Sequence, residues 1–169
     1  MALSIETGFV RGRKDAGLVP LRAALGGTMI YHGLSKIKEA EGREQAGQMF
    51  EQIGLRPGKP LAVATGAAEL FAGVAAVLGF LTRPAALAVL VTQGVAIAKV
   101  HGPKGFDITK GGFEYNLVLM AVAAGMLIAG PGKFSVHEQL ECLAEGRGAK
   151  RLFRRARPNP LLRLLKLVK

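Results

Sequence analysis

The chain has 169 residues, half of them hydrophobic, with 23 Lys and Arg against 12 Asp and Glu and a net charge of +11. Mean hydropathy is positive, +0.29, although 21% of residues are charged, so charge must be segregated from apolar sequence rather than mixed through it. The single cysteine, Cys142, excludes an internal disulfide, a CxxC redox pair and a cysteine metal site.

Four stretches in chain order are long and apolar enough for bilayer helices: Leu18–Ser35, Pro60–Leu81, Pro84–Val100 and Gly112–Ala129. A hydrocarbon core needs about 20 apolar residues of helix, and these runs meet the lower part of that range. The expected fold is all-α, an integral membrane four-helix bundle with a basic amphipathic C-terminal tail. Residues 1–17 read as a cytoplasmic N-terminal segment, 18–132 as the transmembrane domain, and 133–169 as a cytoplasmic helix and tail. The first twenty residues lack an apolar core before a cleavage site, so no removed signal peptide is expected.

Between the first two spans, Ala46, Met49, Phe50 and Ile53 recur at helical spacing among polar residues. This predicts a short amphipathic helix lying as a partial lid over the bundle mouth. The loop His101–Gly111 carries Gly-Pro and Gly-Gly turn signals. After Gly130-Pro131-Gly132, Ser135-x-x-Glu138 is a capping box that starts a helix ending near Gly146. Residues 147–169 then hold nine Lys or Arg and no acid. Within them Arg151, Arg154, Arg155, Arg157, Arg163 and Lys166 are the candidate contacts to anionic lipid or a protein partner. Phe153 is the tail's only aromatic, so no stacking platform supports nucleic-acid binding.

Charge placement sets the expected topology. Fifteen of the 23 Lys and Arg fall on the side of the two termini, leaving 8 in the first and third loops. The positive-inside rule then puts both termini in the cytoplasm and makes the protein a multi-pass protein of an inner (plasma) membrane. Arg22, His32, Lys36, Glu69, Gln93, Lys99, His101, Glu114 and Asn116 lie within or beside the spans. Most can snorkel to a polar surface. Glu69 cannot, because it sits nine residues beyond Pro60, about 14 Å along a helix and near the midplane. Ala62, Thr65, Gly66, Ala72, Gly73 and Ala76 share its side, and Ala64, Ala68, Ala72 and Ala76 repeat a small-xxx-small spacing that lets membrane helices approach closely. Glu69 therefore faces a neighbouring helix. His32, Lys36, Lys99, His101 and Glu114 fall at the outer end, with Tyr31 and Tyr115 at the same level. Facing acids and imidazoles in low dielectric can exchange a proton.

An ordered set of motifs resembles the DoxX family of small four-helix bacterial membrane proteins. The set is Leu21-Arg22, His32-Gly33-Leu34-Ser35-Lys36, Gly66-x-x-Glu69, Gly79-x-Leu81-Thr82-Arg83, His101-Gly102 with Gly105-Phe106, Gly111-Gly112-x-Glu114-Tyr115-Asn116, and Gly130-Pro131-Gly132 with Ser135. It runs over about residues 18–140, and the tail lies outside the pattern. The resemblance implies kinship with small subunits of thiosulfate:quinone oxidoreductase and with membrane partners of redox-defence enzymes. It also places Arg22, His32, Lys36, Glu69, His101 and Glu114 on the family's recurring polar positions.

The resulting expectation is a subunit supporting quinone-linked redox chemistry of a partner. Glu69 and Glu114 would exchange protons, while Arg22, His32, Lys36 and His101 bind the ligand. Quinone is the candidate ligand, no tightly bound cofactor or metal site is expected, and electrons must come from another protein. A non-catalytic assembly or anchoring subunit, docking lipid or a partner through its basic tail, is the alternative. The absence of an internal repeat or a broken span argues against a transporter.

Overall fold

The computed structural model describes the backbone of residues 2–145 and the side chains of residues 15–143. Arg151, Arg154, Arg155, Arg157, Arg163 and Lys166, and the amphipathic tail expected around them, lie outside the described residues. The chain is all-α: α1 (Ala2–Ile37), α2 (Ala40–Gln52), α3 (Gly58–Leu78), α4 (Thr82–Ala96), α5 (Glu114–Ala129) and α6 (Val136–Glu145). Helix α4 continues through a π turn, Ile97–His101, and a 3-10 turn, Gly102–Lys104, and a second 3-10 turn spans Ile108–Lys110. No strand occurs among the described residues.

Helices α1, α3, α4 and α5 surround one core. It is made from Leu25 and Met29 of α1, Ala72, Ala75 and Ala76 of α3, Ala85, Ala86 and Val89 of α4, and Leu119, Ala123 and Met126 of α5. The inside is built largely from small side chains and the outside from larger apolar ones, among them Leu87, Val91, Leu117, Val118 and Ile128. Burial of apolar surface from water would select the reverse arrangement. An apolar exterior on this scale suits a hydrocarbon solvent, where close packing of small residues holds the helices together.

The tightest joint lies between α1 and α3, which run antiparallel. A Cβ added at Gly26 would lie 2.7 Å from Gly73 O, and one at Gly73 would lie 2.7 Å from Gly26 O. One helical repeat further along, a Cβ at Gly33 would lie 2.7 Å from Gly66 O. The two backbones therefore approach closely at glycine pairs seven residues apart on both helices. Positions 22, 26, 29, 33 and 36 of α1 and 62, 66, 69, 73 and 76 of α3 form the facing rows. Their alternating four- and three-residue steps are the signature of helices wound round each other at 3.5 residues per turn. This corrects one detail of the sequence reading: the strict four-residue run drifts off the joint, and Ala64 is exposed while Ala62 and Gly66 are buried.

Element boundaries depart from the expected spans in three places. Helix α1 starts sixteen residues before Leu18 and continues through Pro20. Among the described residues, two stretches are long and apolar enough to cross a bilayer, Gly58–Leu78 with 21 residues and Thr82–Lys104 with 23. Helix α5 is apolar but only 16 residues long, starting at Glu114 after the turns at Gly111 and Gly112. The stretch Leu18–Ser35 of α1 carries Arg22 and His32, with Lys36 just beyond, which lowers its mean hydropathy. The amphipathic lid helix forms as expected and packs on α3, with Gly47 and Phe50 buried. Ser135 caps α6, its Oγ accepting from the Glu138 backbone N–H at 3.2 Å.

The α1–α3 joint predicts a contrast between adjacent glycines. Gly26 meets the α3 backbone, whereas a Cβ at Gly27 meets nothing within 4 Å. Gly26→Ala should lower stability by about 1–3 kcal/mol through overpacking. Gly27→Ala should be neutral or stabilising by up to about 1 kcal/mol from helix propensity. Thermal unfolding of the detergent-solubilised variants reads both.

Candidate functional site

At the end of the helices where α1 finishes and α5 begins, the four core helices separate around a cavity of about 760 Å³. This volume lies in the range that holds small-molecule ligands. Helix α2 roofs it with Met49, Phe50 and Ile53, and the chain from Val100 to Gly112 forms its rim. Its walls are mostly aliphatic, and its polar groups include one pair on α1 and α3 and another on α4 and α5.

The first polar wall belongs to α1 and α3. Lys36 Nζ and Glu69 Oε2 form an ion pair at 2.7 Å, with the side chains only 17% and 6% exposed. Lys36 also donates to the His32 carbonyl at 3.2 Å. A Cβ at Gly66 would lie 2.9 Å from Lys36 Cβ, so the absent side chain is what gives the lysine stem room to reach Glu69. The His32 ring lies against Tyr31 in an edge-on contact, centroids 5.7 Å apart. Replacing a buried ion pair with apolar groups is often neutral or stabilising, so such a pair is poor evidence of a purely stabilising role.

The second polar wall belongs to α4 and α5. Asn116 Nδ2 donates to Gln93 Oε1 at 2.8 Å, and both residues are buried, at 6% and 5% exposure. Gln93 Nε2 faces Met29 Sδ at 3.8 Å, a weak acceptor. On the rim, His101 Nδ1 donates to the Gly111 carbonyl at 2.7 Å. A carbonyl can only accept, so the neutral ring presents Nε2 as an acceptor.

The six candidate residues from the sequence therefore divide. His32, Lys36, Glu69 and His101 line the one cavity; Arg22 and Glu114 do not. Glu114 accepts from the Ile108 backbone N–H at 3.3 Å and ties down the rim loop. Arg22 is buried at the far end of the α1–α3 joint. It donates to the carbonyls of Pro131 at 2.6 Å, Phe134 at 2.8 Å and Val77 at 3.3 Å. Gly79 makes room for it: its φ of +64° favours glycine, and a Cβ there would lie 2.8 Å from the guanidinium. Arg22 thus joins the end of α3 to the turn after α5. Gln93 and Asn116 were visible in the sequence as polar residues inside apolar spans, but nothing local pairs residues 23 positions apart. Lys99 is exposed on the π turn and does not line the cavity.

The DoxX family model matches residues 17–102. The chain belongs to the DoxX family. The match runs from Gly17 of α1 to Gly102, the first residue of the 3-10 turn after α4, and so includes His32, Lys36, Glu69, Gln93 and His101 of the cavity. Asn116 and Glu114 lie beyond it. This DoxX protein is accordingly a membrane protein, consistent with its apolar exterior and its two helices of bilayer-spanning length. No curated protein and no solved structure matches the chain.

The division of the polar residues makes Arg22 testable as a structural tie. Arg22→Met should lower stability by about 3 kcal/mol, because several carbonyls lose a charged donor in a buried site. A ligand bound in the cavity should keep its affinity within about twofold. Thermal unfolding and ligand binding on the same preparation separate the two effects.

Proposed function

We propose that this DoxX protein is a multi-pass inner-membrane subunit that binds a quinone in the cavity and serves the redox chemistry of a partner protein. In this reading α1, α3, α4 and α5 all cross the bilayer, both termini are cytoplasmic, and the cavity opens toward the outer face. The excess of Lys and Arg on the termini's side supports that orientation. The closely paired Lys36 and Glu69 in the wall of a largely apolar cavity carry the functional reading.

The lining fits the proposed ligand. Aliphatic walls suit a ring and an isoprenoid stem, and the polar groups present both donors and acceptors. A bound quinone supplies a two-electron, two-proton couple, with the electrons delivered by the partner. Lys36 donates a hydrogen bond toward a ligand carbonyl. Glu69, already in contact with Lys36, takes up or returns the proton. His32 and the free Nε2 of His101 stand on the same side and complete a route toward the rim. Helix α2 covers the mouth and limits water. Arg22 holds the far end of the bundle and Glu114 holds the rim loop, so both act by positioning.

Loss of a positioned acid–base group typically costs about 10²–10⁴-fold in rate. Glu69→Gln should therefore lower partner-supported quinone reduction by about 10²-fold or more while the protein still inserts and the partner still co-purifies. Membrane preparations with matched protein levels provide the measurement. Full turnover in Glu69→Gln, combined with loss on deletion of residues 147–169, would replace this reading with that of an anchoring subunit.

A further inference from the structure

The Lys36–Glu69 pair accounts for one wall of the cavity, and the opposite wall has no role in that chemistry. Gln93 and Asn116 are uncharged, buried and contributed by different helices. Their mutual hydrogen bond uses one oxygen and one N–H. Asn116 Oδ1 and its second N–H have no protein partner, and the Gln93 amide nitrogen meets only a thioether at 3.8 Å. Both side chains line the cavity. Two amides held in apolar surroundings therefore keep one acceptor and more than one donor unused. Neither bonds to Lys36, Glu69, His32 or His101.

We propose that the Gln93–Asn116 amide pair is the head-group subsite of the cavity, taking the hydroxyl or carbonyl of a neutral ring-bearing amphiphile. The inference rests on the cavity being a ligand site, as proposed above, but not on the ligand being a quinone. Three features define the ligand class. The pair is neutral, so it offers nothing to balance a carboxylate or an ammonium. It holds a donor and an acceptor side by side, so it can bond a hydroxyl in both directions or a carbonyl in one. Aliphatic residues, Val91 and Leu61 among them, line the same cavity and suit the apolar body of such a ligand. A site built to bond a hydroxyl discriminates against the same molecule without it, because the site's own polar groups then stay unpaired. Asn116 also fixes Gln93: the bond between them sets which face of the Gln93 amide carries its donors.

The test compares 4-decylphenol with decylbenzene, which differ only by the hydroxyl. Binding to the full chain in lipid nanodiscs is measured by equilibrium dialysis, with empty nanodiscs as the baseline. The native protein should prefer the phenol by about tenfold, the scale of one or two net hydrogen bonds. Gln93→Met and Asn116→Leu should each reduce the preference below about threefold, and Val118→Leu on the outer face should leave it unchanged. Gln93→Met keeps the side chain's length and its contact with Met29, so it carries the test if Asn116→Leu is not recovered folded by gel filtration. The proposal is overturned if the native protein binds neither probe or does not discriminate. It is equally overturned if both amide variants keep the full preference, or if Glu69→Gln alone removes it. Decylubiquinone separates this inference from the broader reading. A phenol preference that depends on the amides, without decylubiquinone binding, removes the quinone assignment and leaves the subsite. Decylubiquinone binding together with amide variants that keep the phenol preference does the opposite.

Discussion

The contact between the backbones of α1 and α3 is the constraint on which the rest of this structure depends. Gly26 meets Gly73 and Gly33 meets Gly66, with no side chain between the helices at either point. In a hydrocarbon solvent there is little hydrophobic gain from bringing apolar helices together, so dispersion between closely fitted surfaces must do it. Gly66 shows how this packing becomes chemistry. The space left by its missing Cβ is occupied by the stem of Lys36, and from there the ammonium reaches Glu69 at 2.7 Å. A side chain at that position would press on Ile37 and on Lys36 alike, with Cβ distances of 2.8 and 2.9 Å.

The same joint organises the two ends of the molecule differently. At one end Arg22 continues the facing row of α1 and bonds three backbone carbonyls, two of them in the segment after α5. That end is closed by a charge whose partners are all backbone, an arrangement that fixes geometry and leaves no titrating partner to exchange with. At the other end the row finishes in Lys36, whose partner is a carboxylate, and the helices part to form the cavity. The two basic residues occupy equivalent positions of one seven-residue pattern, fourteen residues apart, yet only the second faces a space that could hold a ligand. Position along the joint, rather than residue type, separates the cation bonded to backbone carbonyls from the one that lines the cavity.

Much of this was legible in the sequence because it depends on local periodicity. The apolar runs located the core helices, the small residues around Glu69 identified its buried face, and the Ala46–Ile53 spacing and Ser135-x-x-Glu138 placed α2 and the start of α6. The contacts that local reasoning could not show are those made to groups outside any periodic pattern. Arg22 finds the segment after α5 more than 100 residues away, and Glu114 is drawn to the rim by a backbone N–H in a loop that has no periodic signal. Gln93 and Asn116 show the limit most clearly. Each was conspicuous as a polar residue in an apolar helix, but the bond between them exists only once α4 and α5 are packed together. The departure of Ala64 from the joint has a similar origin, since a four-residue repeat read on a straight helix drifts when two helices wind around each other.

The cavity is thus enclosed by two helix pairs with different means of cohesion. The α1–α3 wall is locked by backbone contact and presents an ion pair, so its geometry is set before any ligand arrives. The α4–α5 wall is joined through the core residues Ala85, Ala86, Val89, Leu119, Ala123 and Met126 and one amide–amide bond, and it retains hydrogen-bonding capacity that no protein group uses. An amide wall with unused groups gains from the first neutral polar atom that reaches it. A ligand long enough to span the cavity would reach both the amides of α4 and α5 and the Lys36–Glu69 pair, which line the same space.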